Sequence, residues 1–240
     1  MARQNWPSAF GENWTFLVDQ RSGTVQPEQG AALMYVPPAF REEDLTALHG
    51  TMRGARLANL VTTTAEGLIA TPLPLFLAPD EGQFGTLYGH LARANSQWKL
   101  PLLGEALALF MGPEAYVSPA WYPSKQEHGK VVPTWNYIAV HAYGPAEFFD
   151  DADRLIDVIT RLTNLHEQPR AEPWAVTDAP EGFIRAQLRG IVGLRLPIAR
   201  LEGKRKMSQN RSAEDRAGVA AGLTASDRLS DHAAAALIPT

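Results

Sequence analysis

The stretch RLANLVTTTAEGLIATPLPLFL, Arg56 to Leu77, decides the fold. Arg56 to Thr64 carries Leu, Val and three consecutive threonines. Aliphatic and β-branched side chains of this kind fit a pleated, half-buried strand. Glu66-Gly67 is a turn signal, and Leu68 to Leu77 follows as a second strand-length run. Pro72 and Pro74 have no N–H for a ladder, so they restrict that second strand to an edge or an irregular end.

Outward from this pair the signal repeats. Phe84 to His90, Ala106 to Gly112 and Val131 to Phe149 are strand-length runs in which Thr, Val, Phe and Tyr recur. Several short strands with close turn signals predict an antiparallel barrel rather than a parallel sheet. On the N-terminal side, Phe40-Arg41-Glu42-Glu43-Asp44 leads into Leu45, Leu48 and Met52, a helical spacing opened by acids that the helix dipole favours. Between Asp150 and Glu167 the period changes: Leu155, Ile156, Ile159, Leu162 and Leu165 trace one helix face. Pro180 to Arg189 predicts a second, shorter helix with Gly190 as its stop. Ile191 to Ile198 alternates as a strand, with Val192, Leu194, Leu196 and Ile198 on one side. The fold class is α+β, a mainly antiparallel barrel with peripheral helices.

Residues 1–33 show no helical or alternating period and no apolar run long enough for a signal-peptide core. They are expected to be a poorly ordered N-terminal extension of a protein that is not secreted. Residues 34–211 form the expected barrel domain. Residues 212–240 predict a C-terminal tail of one or two short helices with weak apolar faces, peripheral or engaged with a partner subunit.

Composition narrows the function. The chain has 240 residues, 45% apolar and 20% charged, as in an ordinary soluble domain. No apolar run reaches the ~20 residues a bilayer span requires. The net charge of −4 leans against a domain that grips DNA through its phosphates. The absence of cysteine removes disulfides, thiolate nucleophiles and Cys-ligated metals, and fits a cytoplasmic protein. The six histidines do not cluster, and Walker, GxGxxG and GxSxG motifs are missing, so hydrolase and Rossmann readings lack support.

Three polar–aromatic clusters could carry chemistry. The first, Gly89 to Trp98, holds His90, Arg93, Asn95 and Trp98. It follows a strand and is expected to open a helix, whose free N–H groups with Arg93 would suit a phosphate. The alternative makes Asn95 or Ser96 a cap and Trp98 a core residue. The second contains Ser118, Trp121, Tyr122, Thr134, Trp135, Asn136 and Tyr137. Aromatic faces with a few polar groups suit a planar ligand, and equally a barrel core or dimer interface. The third, Lys204 to Arg211, includes Lys206, Gln209 and Arg211. It is a phosphate or subunit contact, or simply a solvated basic loop.

These clusters, with Tyr35-Val36-Pro37, Phe40, Gly112-Pro113 and Ala115 to Ser118, resemble the PaiB-type FMN-binding negative transcriptional regulator family from Met34 to about Leu223. The resemblance implies a split β-barrel of the flavin-reductase and pyridoxamine-phosphate-oxidase type. It also implies a homodimer with its cofactor near the subunit interface. Three functions follow from it: an FMN-binding regulator, a flavin-dependent oxidoreductase, or a heme b protein of the piperazate-synthase branch, which forms N–N bonds. For FMN, Arg93, Lys206, Arg211 and the chain near Asn95 would take the phosphate, and Trp121, Tyr122, Trp135 and Tyr137 the ring. For heme, His90 or His141 would be the axial donor. No metal site besides that axial donor, no catalytic residue and no substrate is readable. DNA binding is implied by the family name and opposed by the charge.

Overall fold

In the computed structural model, which describes residues 34–239, the chain begins with a short strand β1 (Arg41–Glu42) and a helix α1 (Leu45–Gly54). The Asp44 carboxylate caps α1 by accepting from the Thr46 N–H at 2.8 Å. The predicted N-terminal extension lies outside the described residues. The stretch that opened the sequence reading becomes β2 (Ala58–Thr64), β3 (Gly67–Leu73) and β4 (Leu75–Ala78). Pro74 breaks the second run in two, so β3 closes the edge of one sheet while β4 starts another. Next come β5 (Thr86–Ala92), β6 (Ala106–Val117), a short helix α2 (Ser124–His128), β7 (Thr134–Gly144) and β8 (Glu147–Phe149). Helices α3 (Ala152–Glu167) and α4 (Glu181–Leu188) lead to β9 (Ile191–Pro197) and β10 (Arg200–Lys206). The described chain ends in α5 (Ala213–Thr224) and α6 (Leu229–Ala235).

All strand pairs are antiparallel. One sheet has the order β1-β10-β7-β6-β2-β3 and the other β4-β5-β9-β8. The barrel core lies between them, built from Leu60, Phe110, Val140, Leu194 and Leu196 among others. The two sheets meet closely at Gly144, where an added Cβ would stand 2.0 Å from the Pro197 carbonyl oxygen. Only glycine lets β7 pass the end of β9 there.

Helix α3 buries Leu155, Val158 and Leu162 with Phe76 and Phe149 on the outer side of the four-stranded sheet. Helices α5 and α6 bury Val219, Leu223 and Ala234 against Ala115, Val117 and Tyr122. Among the described residues, these helices leave the outer face of the six-stranded sheet bare. Strand β10 is one element that sequence reasoning missed, along with β1 and the short α2. Lys204 to Lys206 reads as a basic loop, yet it pairs in register with β7, Lys206 opposite Tyr137.

Candidate functional site

Side chains of a strand alternate between faces. On β7, Asn136, Ile138, Val140 and Ala142 point inward, which turns Trp135, Tyr137, His141 and Tyr143 to the bare outer face. On β6, Leu107, Leu109 and Met111 share that face. There the register slips: Gly112 and Pro113 on β6 stand opposite Ile138 alone on β7. This β-bulge inserts one residue and resets the alternation. Glu114 and Tyr116 therefore join Met111 on the outer face, while Ala115 and Val117 turn inward toward α5 and α6. From β10, Lys204 and Lys206 complete the patch beside Ala139 and Tyr137.

The result is a shallow cleft of about 490 Å³ lined by Met111, Glu114, Trp135 and Tyr137. The Trp135 indole N–H donates to the Glu114 carboxylate. Tyr116 meets Trp135 edge to face, their centroids 5.9 Å apart. Two lysines border this cleft, and Arg211 lines a separate one with Glu127, Glu214 and Asp215. Lys206 donates from Nζ to Thr134 Oγ1 at 2.6 Å and to the Trp135 carbonyl. Lys204 donates to the Tyr35 carbonyl at 3.0 Å and lies 5.2 Å from the Tyr137 ring centroid. Arg211 stands 4.9 Å from the Tyr122 ring centroid. Burial pushes the Lys206 ammonium below the ordinary lysine range, and the charges of Lys204 and Arg211 push it further the same way. Among the described residues none of the three forms a salt bridge. Two lysines outside any salt bridge beside a flat aromatic surface suit a planar anion, so the donor set fits FMN.

The second and third clusters thus converge at one end of the barrel, with different duties. Thr134, Trp135, Tyr137 and Lys206 line or border the cleft. Asn136 and Gln209 point elsewhere: Asn136 is fully buried against Ser208, and Gln209 bonds the Met207 N–H and the Arg205 carbonyl. Ser118 caps the turn Pro119–Trp121. Trp121 fills a notch on α5 at Gly222, where an added Cβ would lie 2.3 Å from its indole. Tyr122 is 2% exposed, and among the described residues its hydroxyl has no hydrogen-bond partner.

The first cluster does not join them. Arg93 spends its donors on the Arg189 and Ile191 carbonyls at 2.9 and 3.2 Å and on Asp150 at 3.3 Å, tying β5 to the end of α4. The helix expected after it is only a single 3-10 turn, Ser96–Lys99, capped by Asn95. So short a turn has no N-terminal anion site, which corrects that expectation. Trp98 donates to the Arg93 carbonyl at 3.0 Å. His90 lies opposite Gly193 on the side of β5 that carries Tyr88, beneath α3. Burial lowers its pKa, and among the described residues its Nδ1 has no hydrogen-bond partner. His141 shares the bare sheet face with Trp135 and Tyr137, its Nδ1 3.2 Å from the Tyr143 hydroxyl. Burial lowers its pKa, partly offset by Glu202.

Sequence reasoning missed Met111, Glu114 and Tyr35 as site residues. Gly112-Pro113 inside a strand pattern is the signal for the bulge that presents Glu114. The Lys204/Lys206 spacing of two is the signal for a strand.

Fold and site together define a flavin-type split barrel: two antiparallel sheets, an open aromatic face and a cationic rim. The sequence matches the family model described as "Putative FMN-binding domain" over residues 34–200, and the chain belongs to this FMN-binding family. The protease synthase and sporulation protein PAI 2 of Bacillus subtilis is 33% identical over 184 residues, covering 76% of this chain and 85% of that protein. An uncharacterized protein of Emericella nidulans is 32% identical, covering 79% and 90%. Among solved structures, the flavocytochrome Anf3 of Azotobacter vinelandii superposes with a TM-score of 0.51 at 14% identity, over 80% of this chain and 82% of that one. The FAD and heme binding protein of Mycobacterium smegmatis gives 0.50 at 16% identity, over 69% and 73%. Both show the shared split-barrel fold.

Proposed function

We propose that this chain is a homodimeric FMN-binding regulator whose cofactor lies at the subunit contact. Its ring sits on the Met111–Tyr116–Trp135–Tyr137 surface and its phosphate beside Lys206 and Lys204. The observation that carries this reading is the pair Lys204 and Lys206, neither in a salt bridge among the described residues, set beside an exposed aromatic cleft. A phosphate supplies the missing negative charge, and forked or pointed charge-assisted donors hold it strongly. Met111, Tyr116 and Trp135 are each about half exposed, at 45, 46 and 44%. An apolar face of that kind is covered in working proteins, here by the second copy. The bound flavin would supply reversible hydride and electron chemistry. The protein contributes the electrostatic grip, the flat apolar seat and the exclusion of water.

The family's regulatory role comes to this chain as control through protein contacts in the cytoplasm. The net charge of −4 disfavours direct phosphate contacts with DNA. Among the described residues no helix is long and apolar enough to cross a membrane.

Heme b is the second reading, and His141 favours it. It is the histidine on the same sheet face as the cleft, whereas His90 sits under α3. The absorption spectrum of the freshly purified protein separates the two. A flavin band near ~450 nm supports FMN, while a Soret band near ~400 nm that is lost in His141→Ala supports heme. A colourless protein that quenches neither FMN fluorescence nor heme absorbance on titration overturns both.

A further inference from the structure

We propose that the Glu114 carboxylate, turned into the cleft by the β6 bulge, makes the bound FMN a stronger reductant by opposing the negative charge that reduction brings to the ring. The inference rests on the flavin-binding reading above. It deepens that reading by giving the direction in which the site tunes its cofactor.

Regular alternation would not place a carboxylate there. On β6, Leu107, Leu109 and Met111 face outward, so the next outward position would be Pro113 and Glu114 would turn to the core. The bulge at Gly112-Pro113 shifts the alternation by one and brings Glu114 into the cleft wall. Glu114 pairs with Tyr137 on β7, and Tyr137 pairs with Lys206 on β10. One row across three strands therefore runs acid, aromatic, base. With neighbouring strands ~4.8 Å apart, the acid and the base are rooted about 10 Å apart, on either side of Tyr137.

The carboxylate is held in direction and left uncompensated. The Trp135 indole N–H donates to it, which orients the group without cancelling its charge. Among the described residues Glu114 forms no salt bridge. Lys206 donates instead to Thr134 and the Trp135 carbonyl, and Lys204 to the Tyr35 carbonyl. With the phosphate beside the two lysines, its negative charge takes up theirs. Glu114 is then the charge that remains beside the ring.

Charge arithmetic gives the sign. The oxidised ring is neutral. Reduction by two electrons and one proton leaves one extra negative charge on it, and a second proton restores neutrality. A fixed carboxylate in a covered, low-dielectric cleft raises the energy of the charged form only. Glu114 therefore weakens the binding of reduced FMN relative to oxidised FMN, and by linkage it lowers the potential of the bound couple. The same charge moves uptake of the second proton to higher pH.

The test uses the full chain loaded with FMN and reduced stepwise by dithionite in the presence of indicator dyes. Absorption spectra give the midpoint potential and the pH at which reduced FMN takes up its second proton. Glu114→Gln keeps the size of the side chain and an acceptor for Trp135. In this variant the preference for oxidised over reduced FMN should fall at least about tenfold, a rise in potential of about 30 mV for two electrons. Uptake of the second proton should move to lower pH. Glu114→Asp keeps the charge and should stay nearer to wild type in both readouts. Oxidised FMN affinity, from fluorescence quenching, should change by less than about threefold in either variant. An unchanged potential and an unchanged protonation in Glu114→Gln would overturn the proposal while leaving flavin binding intact. Loss of oxidised FMN from a folded Glu114→Gln would overturn it too, because the residue would then be a binding contact rather than a tuning charge. A wild-type chain that quenches no FMN fluorescence fails the flavin reading first, and this inference falls with it.

Discussion

Lys206 is held where its charge is unwelcome. Burial and two neighbouring cations lower its pKa, so the free folded protein gives up that proton more readily than the unfolded chain does. Between the lowered folded value and the unfolded value of about 10.5, the unfolded state binds more protons, and stability rises with pH across that window. A bound phosphate reverses the preference by favouring the ammonium. FMN affinity should therefore fall as pH climbs through the lowered lysine pKa, while riboflavin affinity stays flat; an FMN profile that is also flat removes Lys206 from the phosphate site. Lys206→Met should weaken FMN by about 10- to 100-fold, the usual worth of a charge-assisted hydrogen bond at roughly 1.5–3 kcal/mol. Residues such as Lys206, Trp135 and Tyr137 are legible in the sequence because their side-chain chemistry suits a planar anion. Arg93 shows the limit of that reasoning. Its guanidinium is as good a phosphate donor, but three carbonyl and carboxylate oxygens reach it first.

At the scale of elements, α5 shows how a weakly amphipathic helix docks by shape. Its Gly218 and Gly222 receive the Pro119–Trp121 turn, with the Trp121 carbonyl oxygen 2.1 Å and its ring 2.3 Å from where a Cβ would stand. Gly222→Ala must displace the indole and should cost about 1–3 kcal/mol, seen as a lower thermal midpoint with faster proteolysis after residue 212. An unchanged midpoint and cleavage pattern would show that α5 docks without this notch. The same helix explains what was and was not readable. Strands with Thr, Val and Leu in alternation, such as β2 and β9, and the long-period α3 declare themselves because burial dictates their pattern. Strand β10 hides because its outward residues are Arg200, Glu202, Lys204 and Lys206, and only its neighbours β1 and β7 make it a strand. The bulge at Gly112-Pro113 hides for a related reason. It looks like a strand end, yet β6 continues to Val117 because the β7 ladder carries it across. Tertiary pairing overrides local signal in both cases.

Among the described residues, one sheet face is left uncovered by helices. The four-stranded sheet is roofed by α3 and α4, and the far half of β6 by α5 and α6. The six-stranded sheet presents Leu107, Leu109, Met111, Tyr116 and Trp135 from its two central strands, flanked by Leu57 and Leu68 from β2, β3 and the chain before them. A specific dimer needs about 800 Å² from each partner, and a six-stranded face is large enough to give it. In a two-fold dimer, whose contact is self-complementary, the cationic β7–β10 half of one copy would face the same sheet in the other, and both clefts would close together. Leu109→Glu tests this without touching the two lysines, because Leu109 faces outward opposite His141 and Asn59. By sedimentation equilibrium, wild type should be a dimer and Leu109→Glu a monomer, with an unchanged far-ultraviolet circular dichroism spectrum. FMN should bind the monomer at least about tenfold more weakly, because half of the ring's cover is gone. A monomeric wild type that still binds FMN tightly would place the whole site within one chain, and the bare face would then need a different occupant.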